Sequence, residues 1–358
     1  MPADHHRTPI WKRPVAVGFA VAAFALALTA AGLASQSPDQ PTVAQAAPEI
    51  QNVVLIVLDG IRTEEFFIGA NPNSRKRGPG DRKEKLFPFL WGELGPRHAE
   101  TQTFGNRFRQ SPGSVCRVDN QYGISLPAYA DLLGGVRQLT VRTNRFEGRL
   151  PHPTVPDRLL TDGLAGEDLA VFASWKHIAD VTSAAPPPGF HVDTGLQPGL
   201  VAPLWKDARF DRDLHQALMN YLRRRTDERA GPLRFLFVAF NDSDEWAHIG
   251  NYGRYLSAMR RQDGYIRELY TYLESQPEYR QKTLYMITTD HGRGRGRYWK
   301  SHGRVPGSQY VWAMLHAPGR PERLAEYARS LRERCSHTAL GSLAYTAATN
   351  NITTTAAR

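Results

Sequence analysis

Asp59, Asp244, His248, Asp290, His291 and His302 are the side chains of this sequence whose types and spacing could do the most chemistry. Three carboxylates and three imidazoles suit a pair of zinc-like divalent cations, because carboxylate oxygen and imidazole nitrogen both bind borderline metals. Asp244 and His248 stand four positions apart, which puts them on one face if a helix starts there. Asp242 is the rival carboxylate in that segment, and the spacing to His248 favours Asp244. Any single aspartate of this kind reads equally well as a helix cap or turn former. The weight lies in where the whole set falls.

Asp59 ends the apolar run 52–58, Asp290 follows the run 283–289, and Asp244 follows the run 233–240. Continuous apolar stretches of strand length predict central strands of a parallel sheet, buried on both faces. In open α/β sheets, ligands collect beyond the carboxyl ends of the strands. The three acidic strand ends are therefore expected to converge, with His302 returning on the loop that leaves the third strand. Further strands are predicted over 169–174 and 309–315, and helical spacing marks 211–225, 252–275 and 322–334. Alternating elements of this kind predict a three-layer α/β/α sandwich with a mostly parallel central sheet.

Ser125 begins a segment that carries Pro127 in its first turn and Gly135 at its end, the pattern of a short helix. A serine at a helix N-terminus sits where free N–H groups and the macrodipole favour an anion such as phosphate. A cation beside it would stabilise the alkoxide and make the hydroxyl a nucleophile. The plainer reading of Ser125 is an N-cap. Arg293, Arg295 and Arg297 alternate with glycine between two of the proposed ligands, which predicts a mobile loop with a guanidinium able to hold a phosphoryl oxygen.

In these motifs the chain resembles the alkaline phosphatase superfamily, in its branch of nucleotide pyrophosphatases, phosphodiesterases and sulfatase-like hydrolases. Leu58-Asp59-Gly60 matches the metal-binding strand end, and Ser125, Pro127 and Gly135 match the nucleophile element. Asp244, His248 and Gly250 match Asp-x-x-x-His-x-Gly, Asp290-His291-Gly292 matches Asp-His-Gly, and His302-Gly303 matches the last histidine. The resemblance spans residues 50–320. It implies one metal held by Asp244, His248 and His302, and a second held by Asp59, Asp290 and His291 with Ser125 as its reactive ligand. Two divalent ions are implied, zinc first, with manganese or magnesium as alternatives. Ala128 and Tyr129 depart from the phosphodiesterase Asn-His, so the resemblance leaves the substrate open. They also depart from the Ser-Arg pair of the formylglycine sulfatases, which argues against that chemistry. The implied activity is hydrolysis of a small anionic phosphate ester, monoester or diester, through a phosphoserine. A sulfatase-like or phosphonate hydrolase, or a phosphotransferase, would use the same site, and a non-catalytic binding protein would have no need of all six ligands.

The sequence has 358 residues, and the part beyond the N-terminal portion suffices for one large α/β domain, expected over 50–345. A basic flank, 1–14, precedes an uncharged apolar run, 15–34, that reads as a signal peptide or a membrane anchor. Ala44-Gln-Ala46 offers a cleavage site, so either a periplasmic or extracellular protein or a tethered one is expected. Residues 35–49 read as a flexible linker, 71–85 as a mobile, basic surface loop, and 346–358 as a disordered tail. Cys116 and Cys335 could pair in an oxidising compartment or remain free thiols. The formal net charge is +10, yet no aromatic residues interleave the basic runs, so no specific nucleic-acid binding is expected.

Overall fold

The computed structural model describes residues 49–71, 78–111, 113–195 and 207–350. The basic flank, the apolar run 15–34 and nearly all of the linker 35–49 lie outside the described residues, as does the tail beyond Asn350. Among the described residues no helix is long and apolar enough to cross a membrane.

Ten strands form in chain order: β1 (Asn52–Leu58), β2 (Thr101–Phe104), β3 (Cys116–Arg117), β4 (Leu169–Ala173), β5 (His191–Thr194), β6 (Phe235–Phe240), β7 (Thr283–Thr288), β8 (Tyr310–Val311), β9 (Ala313–His316) and β10 (Cys335–Ser336) among the described residues. The α-helices are α1 (Thr63–Phe67), α2 (Lys83–Leu86), α3 (Ser125–Gly134), α4 (Val155–Thr161), α5 (Asp211–Asp227), α6 (Asp242–Ile249), α7 (Tyr252–Ser275), α8 (Pro321–Glu333) and α9 (His337–Thr349). Seven strands make one sheet in the order β2-β9-β7-β1-β6-β4-β5. The neighbours from β7 to β5 pair in parallel, and β9 runs against both β7 and β2.

Every residue of β1 is buried, because side chains alternate between two covered faces. Val53, Leu55 and Val57 pack with Leu132 of α3, Leu159 of α4, Leu324 of α8 and Leu340 of α9. Val54, Ile56 and Leu58 pack with Phe66 of α1, Leu86 of α2, Leu218 of α5, Ala247 of α6 and Met259 of α7. The sheet is thus the middle layer of three, as the sequence predicts. Its three central strands, β7, β1 and β6, are the three that lead to the acidic residues.

Three expectations need correction. The apolar run 309–315 is not one strand but two in different sheets, β8 and β9, separated at Trp312. Trp312 is fully buried, stacks on Phe66 and donates from Nε1 to the Ile61 carbonyl, and these contacts fix the break. The proposed tail does not begin at Thr346, because α9 runs on to Thr349 and buries Ala347 and Ala348. The segment 71–85 is not all loop: a 3-10 turn at Pro79–Asp81 lies within it and α2 begins in it at Lys83, while residues 72–77 are outside the described residues.

The small sheet, in the order β10-β3-β8, carries a disulfide. Cys116 faces Cys335 across the β3–β10 register with the two Cα atoms 4.6 Å apart. The bond joins positions 219 residues apart in sequence and so restricts the unfolded chain strongly. Replacing both cysteines by serine is expected to lower stability by about 2–4 kcal/mol in urea unfolding. An unchanged urea midpoint would show that the cross-link contributes nothing to stability.

Candidate metal centre

Parallel pairing brings the carboxyl ends of β7, β1 and β6 side by side, and short hydrogen bonds tie the loops beyond them together. Asp59 N–H donates to the Phe240 carbonyl at 2.9 Å, and Ser243 Oγ donates to the Asp59 carbonyl at 2.6 Å. Gly60 N–H donates to Asp290 Oδ1 at 3.0 Å. Residues more than 180 positions apart are therefore held as one rigid edge.

The six proposed ligands gather into two sets. Asp59, Asp290 and His291 form one, and Asp244, His248 and His302 form the other, with the ligand atoms of each set within 4.8 Å of one another. The first set is wholly buried, whereas His248 is exposed and His302 half-buried, so the centre opens to solvent on the side of the second set. His302 joins the two: its ring stacks on His291 with centroids 3.9 Å apart, and its Nε2 lies 3.0 Å from His248 Nε2. Asp244 and His248 meet across one turn of α6, with Oδ2 and Nε2 at 3.0 Å. Asp242 is consumed elsewhere: its Oδ1 accepts the Asp211 N–H at 3.2 Å and its Oδ2 faces Arg261.

Ser125 is the first residue of α3, and the N-cap is Ile124, so the capping role does not fall to the serine. Its hydroxyl points instead at His291 Nε2, 3.2 Å away. The N-terminal end of α3 is secured by Asn144, whose Oδ1 accepts the Leu126 N–H at 3.0 Å. Gly135 ends the helix in the left-handed region, at a φ of 63°. α9 braces this unit from behind: Ser342 Oγ donates to the Gly135 carbonyl at 2.8 Å, and His337 Nε2 lies 2.9 Å from the Thr289 carbonyl oxygen.

Burial lowers the pKa of His248, His291 and His302, so all three imidazoles are neutral near pH 7, the form that offers a lone pair. The His291 Nδ1 sits 3.0 Å from the Gly292 carbonyl oxygen, which places the ring proton on Nδ1 and turns the Nε2 lone pair inward. His302 Nδ1 makes the same kind of contact with the Gly123 carbonyl oxygen at 3.2 Å. Asp59 is pushed well above the usual carboxylate range by burial and, next, by the Asp290 charge.

Two oxygens, Asp59 Oδ1 and Asp290 Oδ2, are buried with no hydrogen-bond partner. A buried carboxylate oxygen without a donor is costly unless a cation is beside it. His291 Nε2 lies 3.6 Å from the first of these oxygens and 3.3 Å from the second. Two inward oxygens and an inward lone pair fit a divalent cation.

The role of Tyr129 escapes the sequence reading, and that of Arg293 differs from it. Tyr129, one turn beyond Ser125 and fully buried, donates its hydroxyl to Asp59 Oδ2 at 3.0 Å. Arg293 is buried and pairs with Asp244. The expectation of a freely moving arginine loop is therefore wrong at its start. A Cβ on Gly292 would lie 2.5 Å from the Tyr310 carbonyl oxygen, and one on Gly294 would lie 2.6 Å from that of Tyr298. These glycines permit close packing. Arg295 and Arg297 do lie at the surface.

No family profile and no curated protein matches the chain in sequence. Solved structures do match it in shape. The C-terminal periplasmic domain of phosphoethanolamine transferase EptC from Campylobacter jejuni aligns with a TM-score of 0.52 at 13% identity, covering 84% of this chain and 90% of that one. The soluble domain of lipooligosaccharide phosphoethanolamine transferase A from Neisseria meningitidis aligns at 0.51 and 13% identity, covering 85% and 89%. A zinc complex of the periplasmic domain of EcEptC from Escherichia coli aligns at 0.50 and 10% identity, covering 83% and 82%. At these identities the likeness is one of architecture, and with the seven-stranded, mostly parallel sheet between two helical layers it shows that the chain has the alkaline-phosphatase-like fold.

Proposed function

We propose that the chain is a metal-dependent hydrolase of phosphate esters, with Ser125 as nucleophile, acting outside the cytoplasm. The observation that carries the reading is the pair of buried, partnerless oxygens of Asp59 and Asp290 beside the Ser125–His291 contact. Asp59, Asp290 and His291 would hold one divalent ion, with Ser125 as its reactive ligand, and Asp244, His248 and His302 would hold the other. Zinc suits this mixture of oxygen and nitrogen donors, and one architectural neighbour was solved with zinc. When bound, the ions supply the positive charge that acidifies the serine hydroxyl and stabilises charge on the ester oxygens.

The residues of the chain do the rest. The start of α3 presents its positive dipole end where the phosphoryl group must lie, and the exposed His248 edge admits the ester. Ser125 Oγ forms a bond to phosphorus as the bond to the departing alkoxide breaks; the serine proton goes to solvent and the alkoxide gains one. Water then displaces the serine oxygen from phosphorus and releases phosphate or a monoester. Tyr129 holds Asp59 in place throughout by its hydrogen bond to Oδ2. The buried disulfide accords with an oxidising compartment and with export by the apolar run 15–34.

A phosphotransferase reading uses the same serine, with an alcohol in place of the water, and the transferases among the architectural neighbours favour keeping it in view. Hydrolysis and transfer separate when released phosphate and phosphorylated alcohol are both counted in the presence of an alcohol acceptor.

Dialysis against a chelator is expected to abolish turnover of aryl phosphate mono- or diesters, and added zinc to restore it. Elemental analysis should give two ions per chain. Ser125→Ala is expected to lose activity by on the order of a thousandfold or more while keeping both ions. Full activity in that variant would exclude the covalent route. Tyr129→Phe is expected to weaken ion retention by about 10–100-fold. Unchanged retention in competition with a chelator would leave Tyr129 a packing residue only.

A further inference from the structure

We propose that Arg293 is a built-in counter-charge that makes the two cation sites unequal, tight at Asp59/Asp290/His291 and loose, exchangeable at Asp244/His248/His302. This rests on the two-cation reading and assigns a positioning role to a residue outside both triads. With neutral imidazoles, the first set offers a cation two carboxylates and the second offers one. Arg293 cancels that one: its Nη2 meets Asp244 Oδ1 in direct contact and also donates to the Asp244 carbonyl at 3.1 Å. At close range and away from water, a full positive charge opposes an incoming cation strongly.

The guanidinium is not free to turn away. It is only 1% exposed, its Nη1 donates to the Lys300 carbonyl at 2.8 Å, and Arg62 Nη1 holds the adjoining Gly294 carbonyl at 3.1 Å. The pair fits only because Gly60 has no side chain: a Cβ there would lie 2.4 Å from Asp244 Oδ1 and 2.9 Å from Arg293 Nε. Both amino groups are engaged by the protein and only the buried Nε lacks a partner, so the two-pronged fork that would clamp a phosphoryl oxygen is already taken.

The grip also decides which oxygen of Asp244 is available. Oδ1 lies 3.8 Å from His291 Nε2 and so faces the first set, whereas Oδ2 faces His248. By taking Oδ1, Arg293 keeps Asp244 from bridging the two sites and leaves a single oxygen for the second. The charge of Arg293 also reaches Asp59, but its direct contact is with Asp244 alone of the three carboxylates, and the donors that touch Asp59 and Asp290 are Tyr129 and the Gly60 N–H.

The test is a zinc titration of the metal-free full-length chain against a chromophoric chelator, for the parent, Arg293→Met and Arg293→Lys. The parent is expected to bind two ions with dissociation constants at least about tenfold apart. Arg293→Met should tighten the weaker site by about tenfold or more and leave the stronger within roughly threefold, the stronger site reporting that the variant is folded. Arg293→Lys keeps the charge and should keep the separation. An unchanged or weakened second site in the Met variant, with the first intact, overturns the proposal alone. A parent chain that binds no zinc overturns this proposal and the two-cation reading together.

Discussion

Placing two carboxylates side by side in a dry interior, with one oxygen of each left without a donor, is the constraint around which this molecule is arranged. Asp59 and Asp290 end adjacent parallel strands, so the sheet itself forces their proximity. Removing such charges from water costs several kcal/mol per ion unless something compensates. The chain satisfies the outer oxygens, Asp59 Oδ2 through Tyr129 and Asp290 Oδ1 through the Gly60 N–H, and leaves the inner ones open. That asymmetry sets this pair apart from buried carboxylates that serve only to hold backbone in place.

A second pair of buried carboxylates, Asp211 and Asp242, shows what a purely structural solution looks like. Asp211 accepts from Ser174 Oγ, from Gln262 Nε2 and from the N–H groups of Asn241 and Asp242. Asp242 accepts the Asp211 N–H in return, so each carboxylate caps the start of the other's helix. Burial, with the neighbouring Asp211, raises Asp242 to about 8, and the resulting proton relieves the repulsion that a cation would otherwise have to relieve. Burial and a neighbouring carboxylate raise Asp59 as well, so the two pairs on this sheet edge differ in their hydrogen bonds: only Asp59 and Asp290 leave an oxygen without a donor. The saturated pair fixes where α5 and α6 begin, and α6 in turn presents Asp244 and His248.

Legibility in the sequence depends on how local each signal is. The runs ending at Asp59 and Asp290, and the spacing of Asp244 to His248, are patterns within a few residues, and the strands and helix that carry them form as expected. Tyr129 was not legible, because an aromatic side chain in an apolar helix reads as core and its partner lies 70 positions earlier. Arg293 stands in a run of alternating arginine and glycine, and nothing in that pattern separates the buried guanidinium from the exposed ones. The end of α9 is not legible either, because alanine and threonine bury little area and read as tail. The close approach of α9 to α3 depends instead on Gly341, where a Cβ would lie 2.0 Å from the Leu132 carbonyl oxygen. The break at Trp312 depends on pairing with two different sheets, which an apolar run cannot encode.

Helix direction explains why chemistry gathers at one edge of the sheet and not at the other. A cavity of about 350 Å³ lies at the opposite edge, lined by Arg225, Arg229 and Tyr279 where α5 ends and β6 begins. Among the described residues, no cluster of carboxylates and imidazoles lies there. Right-handed crossovers send helices back antiparallel to the strands, so their C-terminal, partly negative ends point toward that cavity. At the carboxyl edge the starts of α3 and α6 face inward instead. At the carboxyl edge the positive helix starts stand behind the carboxylates of Asp59, Asp290 and Asp244, whereas at the far cavity the arginines face the negative helix ends. The fold thus gathers the helix starts, the three carboxylates and the three imidazoles at one edge of the sheet, and leaves the helix ends at the other.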